Sequence, residues 1–317
     1  MAEYLSEFDL IERIRARAEA SSGDGVVLGI GDDAAVLAPS PGMQLVATTD
    51  ALVEARHFRP DSDPADLGHL ALAVNLSDLA AMGALPRWCL LALTLPDADP
   101  AWLDGFLDGA LALADTYNCA LVGGNLARGP RNIAITALGE VETGQAITRS
   151  GARTGDRIVV TGTLGDAAAA LKLDAADASP LGQRLLRPTP RLAAGRALAS
   201  CARSLIDISD GLLADLAHLL APDQGARIDC GALPASAALR RALPDPSLRW
   251  PLQLAGGGDY ELLAAVPVGA ELPERVDDTR LHVIGEITST RGIHCIAPDG
   301  TRVETGRSGW DHFGTAP

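Results

Sequence analysis

The chain has 317 residues, 47% hydrophobic and 21% charged, which is enough apolar material for two cores and excludes a disordered polymer. Its 41 acidic and 26 basic residues give a net charge of −15, which argues against nucleic-acid backbones and anionic membrane surfaces and leaves room for an anionic small ligand bridged by cations. The five cysteines, Cys89, Cys119, Cys201, Cys230 and Cys295, are odd in number, form no C-x-x-C pair, and read as buried free thiols of a cytoplasmic protein.

At the N-terminus, Leu5, Phe8, Ile11 and Ile14 recur every three residues in an acidic stretch. That spacing predicts an amphipathic helix rather than a signal peptide, and no apolar run is long enough to predict a membrane span. "GIGDDAAV" (29–36) then places Asp32 and Asp33 side by side behind two glycines. Residues 29–34 fit the dinucleotide pattern G-x-G-x-x-G/A. Two features oppose that reading: a pyrophosphate would face two carboxylates, and Pro39 and Pro41 prevent a long helix from following. Standing alone, the pair reads equally as a solvated acidic turn.

"QLVATTD" (44–50) predicts a strand, and 67–84 a helix closed by Gly83 and Pro86. A buried strand is expected over 88–96, a helix over 101–117, a strand at 119–125 running into a glycine turn, and an alternating strand over 131–141. The polar segment 142–157, rich in Gly, Thr and Arg, is the best boundary, dividing a first domain of 1–141 from a second of 142–317. In the second half, strands are expected over 157–165, 204–211, 226–230, 260–266, 281–287 and 293–297. Helices are expected near 166–173, 189–202 and 212–220, and Asp299–Gly300 signals a hairpin to 301–304. The class is mixed α/β with two domains.

Acids gather in this pattern. Asp50 ends a strand beside Thr48 and Thr49. Asp78 lies in an Ala- and Leu-rich helix three residues after Asn75, on the same face. Asp207 and Asp210 bracket Ser209 at the end of an apolar strand, and "GGGDYE" (256–261) is another glycine turn followed by acids. Each cluster alone reads as a helix cap or a solvated loop. Together they fall at strand ends, where ligand sites of α/β sheets form. Two unit charges about 4 Å apart cost about 4 kcal/mol at an effective dielectric of about 20, so converging carboxylates call for cations. Oxygen ligands without His or Cys spacing select Mg2+ or a similar hard ion, and Mg2+ points to a phosphate substrate. No G-x-x-x-x-G-K-[ST] and no protein-kinase signature is present, so metals, glycine-turn amides and arginines would have to hold phosphate. His57 in "EARHF" reads either as facing a ligand or as a surface-loop histidine.

"GIGDDAAV", "TTDALVEARHF", "ALAVNLSDLAAMGA", "ITRSGA", "IDISDGLLADL", "GGGDYEL" and "GWDHF", in this order and over essentially the whole chain, resemble the thiamine-monophosphate kinases. The resemblance implies transfer of the γ-phosphoryl group of ATP to thiamine monophosphate. It also implies the two-domain fold of aminoimidazole ribonucleotide synthetase and selenophosphate synthetase: a homodimer whose N-terminal domains form a barrel across the two-fold, and a C-terminal α/β sandwich. Carried over by motif, Asp33, Thr48, Thr49, Asp50, Asp78, Asp207 and Asp210 would bind Mg2+, as would Asn125, which stands where the family usually has Asp. Gly123, Gly124, Arg149 and Ser209 would contact ATP. His57 and Trp310 would contact thiamine monophosphate, as would position 258, where Gly258 replaces a common Glu. The alternatives are a Mg2+-dependent phosphate-ester hydrolase and a non-catalytic nucleotide-binding relative.

Overall fold

The structure, a computed structural model, describes residues 6–18, 23–306 and 309–310. Leu5 of the N-terminal pattern and residues 311–313 of "GWDHF" lie outside them. The chain divides into two compact units, Met1–Leu79 with Ala84–Gly144, and Ala80–Gly83 with Gln145–Pro317.

The first unit opens with α1 (Glu7–Ala18). The helix forms as its periodicity predicts, but its buried residues are Leu10 and Ala18, whereas Phe8 is exposed. A two-stranded antiparallel ribbon follows, β1 (Val26–Leu28) with β2 (Val36–Leu37). The main sheet contains β3 (Met43–Val53), β4 (Leu85–Leu95), β5 (Ala120–Arg128) and β6 (Asn132–Glu142), in the order β3-β6-β4-β5. Only β4 and β5 run parallel, joined by the crossover helix α3 (Pro100–Tyr117); the other pairs are antiparallel. Asp99 caps α3 by accepting from the amides of Ala101 and Trp102. The other helix, α2 (Pro64–Ala81), is buried along most of its length, which explains why its sequence is apolar all round. Side chains from α2, α3 and the sheet, including Leu72, Phe106, Leu91 and Ile135, line one small apolar cavity and mark the core.

The second unit is built on one sheet of β7 (Arg157–Thr161), β8 (Ser204–Ile208), β9 (Gly225–Asp229), β10 (Glu261–Val266), β11 (Arg275–Val276), β12 (Thr279–Thr288) and β13 (Gly292–Ile296). Its order is β13-β9-β12-β7-β10-β8, with β11 beside β12. The β13–β9 pair is parallel and the other pairs are antiparallel. Helices α4 (Asp166–Lys172), α5 (Pro180–Leu186), α6 (Leu192–Ala199), α7 (Leu212–Leu219), α8 (Ala237–Ala242) and α9 (Pro246–Ala255) complete it. Ile158, Val160, Ile208, Leu212, Leu216 and Ile284 form the centre of its core. The mixed α/β class expected from sequence is the one observed.

Two local expectations are corrected. The Asp299–Gly300 turn forms and returns the chain antiparallel along the outer edge of β13, the Ala297 and Val303 amides donating to the Thr301 and Cys295 carbonyls at 2.9 Å, but the pairing stops at one bridge, Ile296 to Arg302, and is too short to make 301–304 a strand. The glycines at 123 and 124 are not a turn but lie inside β5, which continues to Arg128 along β4 with a register shift after Cys89. All five cysteines are free thiols; four are buried and Cys201 is partly exposed. Among the described residues, no helix is long and apolar enough to cross a membrane.

Candidate active site

In the first unit, strand alternation sorts the TTD segment by face. Thr48 Oγ1 donates to Asp78 Oδ2 at 2.5 Å, and the Asp50 amide donates to Asn75 Oδ1 at 3.0 Å. Thr48, Asp50, Asn75 and Asp78 therefore meet where β3 approaches α2. Thr49 points the other way, its hydroxyl donating to the Ile135 carbonyl and accepting from Thr136. Asn75 is fully buried and uses its amide nitrogen on the Ala71 carbonyl, so it anchors Asp50 from inside α2. Burial raises the Asp78 carboxyl above the ordinary aspartate range, against the lowering effect of the Thr48 hydroxyl.

Asp32 and Asp33 occupy the exposed loop between β1 and β2, and Asp32 Oδ1 accepts the Asp33 amide at 2.8 Å. A strand follows this loop rather than a helix, so the dinucleotide reading of 29–34 does not hold. His57 closes a tight turn: its Nδ1 accepts the Val53 amide at 2.9 Å, which leaves the ring proton on Nε2. Asn125 is exposed on β5, opposite Ala92 of β4. Gly124, at φ 151°, approaches the Leu91 carbonyl so closely that a Cβ would lie 1.8 Å from it. No other residue fits there.

In the second unit, the end of β8 and the chain after it carry Asp207, Ser209 and Asp210, and two other segments fasten this stretch. The Gly258 amide donates to the Ser209 carbonyl at 2.8 Å, the Tyr260 amide to the Ile208 carbonyl at 2.9 Å, and the Trp310 amide to the Asp210 carbonyl at 2.9 Å. Asp207, Ser209, Asp210, Gly258 and Trp310, drawn from three distant stretches of sequence, are thus brought together. Arg149 is exposed in the segment before β7.

Several acids do something the sequence did not disclose. Asp215, on α7, is buried and accepts the amides of Asp210 and Gly211 at 3.2 and 3.1 Å. Burial, and then the Asp210 charge, push it up to about 7 against those amides. The acids of "GGGDYE" face inward. Asp259 accepts the amides of Gly165 and Ala167 at the start of α4. Burial raises Asp259 to about 7. Glu261 is fully buried between Arg191 and Arg184; burial pushes its carboxyl up, and the two guanidinium groups more than reverse that. The readable signal for Asp215 was an acid in the first turn of an otherwise apolar helix.

The donors collected in each unit are oxygen atoms, a set that suits a hard divalent cation. Among the described residues, no three carboxylate, histidine or cysteine side chains close on one point. An ion held here would therefore complete its shell with water and phosphate oxygens, a common arrangement for hard ions at phosphate-transfer sites.

Residues 31–141 match the family model for the N-terminal domain of AIR synthase related proteins, and residues 153–297 match that for the C-terminal domain. The chain is 48% identical over 326 residues to the thiamine-monophosphate kinase of Escherichia coli strain K12, covering 98% of each. The crystal structure of thiamine-monophosphate kinase from Stenotrophomonas maltophilia K279a is 44% identical, with a TM-score of 0.83 over 94% of this chain and 98% of that one. The structure of AaThiL complexed with AMPPCP and TMP is 32% identical, with a TM-score of 0.75 over 98% and 97%. Such a kinase family implies a divalent metal, for which the oxygen donors above are suited. By sequence and by fold, the chain belongs to the thiamine-monophosphate kinase family of AIR synthase related proteins.

Proposed function

We propose that this chain transfers the γ-phosphoryl group of ATP to thiamine monophosphate in one in-line step, giving thiamine diphosphate and ADP, with several Mg2+ ions. The observation that carries the reading is the union of the Asp207–Asp210 segment with Gly258 and Trp310, which puts the residues expected at the nucleotide beside those expected at the acceptor.

A phosphate monoester has its second pKa near about 6, so the attacking oxygen is already ionised at neutral pH and no side chain has to take its proton. That oxygen bonds to the γ-phosphorus as the bond to the β,γ-bridging oxygen breaks, and ADP leaves with the electron pair. The chain's task is to align two anions. Asp33, Thr48, Asp50, Asp78, Asn125, Asp207 and Asp210 would hold Mg2+, as would Thr49 from the opposite face of β3, and the ions would supply the positive charge that offsets repulsion between the phosphate groups. Gly123, Gly124, Arg149 and Ser209 contact ATP. His57, Gly258 and Trp310 contact thiamine monophosphate, with His57 offering its Nε2 proton to an acceptor such as phosphate.

The protein works as a homodimer in this reading, the first unit supplying metal, nucleotide and dimer contacts. The outer edge of β3 supports it, being eleven residues long and carrying the exposed Leu45 and Val53. A cytoplasmic setting accords with five free thiols.

The test is incubation with ATP, Mg2+ and thiamine monophosphate, with products counted. The kinase gives ADP and thiamine diphosphate one for one. Inorganic phosphate in place of thiamine diphosphate would identify the hydrolase, and bound but unconsumed ATP the non-catalytic relative.

A further inference from the structure

Among the buried groups that the proposed chemistry does not use, Asp215 has the most direct line to the site. It lies within the first turn of α7 and reaches back over the helix start. The helix has Gly211 at its N-cap, which has no side chain to satisfy the orphan amides there. One oxygen, Asp215 Oδ2, accepts both the Asp210 and the Gly211 amides. On the other side of the same peptides, the Ser209 carbonyl accepts from Gly258 and the Asp210 carbonyl from Trp310. The segment is thus held from its amide side by a single carboxylate and from its carbonyl side by the two stretches expected to face thiamine monophosphate. A shift of the peptides at 209–211 would move the Asp207–Asp210 side chains and, through those two hydrogen bonds, Gly258 and Trp310.

We infer that Asp215 is a positioning residue for phosphoryl transfer: its carboxylate oxygen fixes the 209–211 peptides and thereby sets the metal-side and acceptor-side contacts together. This rests on the kinase reading above. The acceptor oxygen does the positioning, so an amide oxygen in the same place serves nearly as well, whereas an apolar side chain of similar size does not. The variant that removes the acceptor loosens both contacts at once, which sets it apart from any ligand that touches only one substrate.

The experiment compares Asp215→Leu, Asp215→Asn and Leu219→Ala in the full chain. Leu219→Ala opens a cavity at another buried position of α7 and serves as the control for lost packing. Each is titrated with Mg2+ and with thiamine monophosphate at saturating ATP. Asp215→Leu is expected to raise both the Mg2+ concentration for half-maximal rate and the KM for thiamine monophosphate by about tenfold or more, since it removes the shared acceptor of two backbone amides, with a smaller fall in kcat. Asp215→Asn should bring both back to within about threefold of wild type. Leu219→Ala should lower the melting temperature and leave both constants alone. If Asp215→Leu does not fold, Asp215→Ala, which admits water to the freed amides, carries the same expectation. Unchanged constants in the acceptor-less variant overturn the inference, as does an equal shift in Leu219→Ala. An inactive wild type overturns the kinase reading and the inference with it, whereas an active wild type with unaltered variants overturns the inference alone.

Discussion

At Asp78, burial and a hydroxyl donor pull in opposite directions, and burial prevails. The unfolded carboxyl ionises near 3.8 and the folded one at higher pH. Between those points the folded chain keeps a proton that the unfolded chain has lost, so this group's contribution to stability falls as pH rises. Asp78→Asn removes that cost. The variant should melt no lower than wild type at about pH 8, with its advantage smaller at about pH 4, while turnover collapses for want of a metal ligand. Wild-type turnover at saturating Mg2+ would take Asp78 out of the metal site. Gly258 poses the reverse problem. It stands at φ 87°, and an added Cβ would lie 3.3 Å from the Ala167 Cβ. Gly258→Glu restores the residue common in the family at a strain cost of about 1–2 kcal/mol. It should lower the melting temperature by a few degrees and also lower the KM for thiamine monophosphate. A KM that does not move would place position 258 away from the thiamine side.

Among the elements, α4 and the approach to β10 are joined by Asp259, which binds the Gly165 and Ala167 amides from a fully buried position. Burial, helped by Asp166 and opposed by those amides and Arg184, lifts its carboxyl to about 7. From the unfolded value of 3.8 up to about 7 the folded state holds the extra proton, so the contribution of Asp259 to stability declines across that window and levels off above it. Denaturant titrations of wild type and Asp259→Asn at about pH 5 and about pH 8 should show the difference between them moving in the variant's favour at the higher pH. Parallel profiles would mean that Asp259 is ionised throughout. The elements also show what the sequence could tell. β3, α2, β4, α3 and β6 were legible to within a few residues because each is a long apolar or alternating run bounded by polar, glycine or proline residues. β5 was cut short because two adjacent glycines look like a turn until a parallel partner accounts for them. α5 and α8 have only seven and six residues, and α9 begins at Pro246 and contains Pro251, so none has a readable period. The grouping of Thr48 with Asp78 was implied by the family motifs, whereas the opposite facing of Thr49 was not read from them. The inward turn of Asp215, Asp259 and Glu261 was not legible either, because an acid is placed inside or outside by partners far away in sequence.

Across the whole molecule, the net charge is −15, and in the proposed reading an anionic nucleotide approaches this acidic chain only with cations. Mg2+ with a non-hydrolysable ATP analogue should therefore raise the melting temperature well above that of the free protein, because ligands that bind only the native state stabilise it. The analogue in EDTA should do little, since triphosphate and carboxylates repel; an equal shift in EDTA would contradict the metal-dependent account. The central claim is that an oxygen of thiamine monophosphate, and not water, attacks the γ-phosphorus. It is tested most directly by running the reaction with ATP, Mg2+ and thiamine monophosphate in water enriched in heavy oxygen and analysing every phosphorus product by mass. The account predicts that each ADP is matched by one thiamine diphosphate containing no oxygen from the solvent. Heavy oxygen in inorganic phosphate, formed in step with ADP while thiamine monophosphate persists, would contradict it.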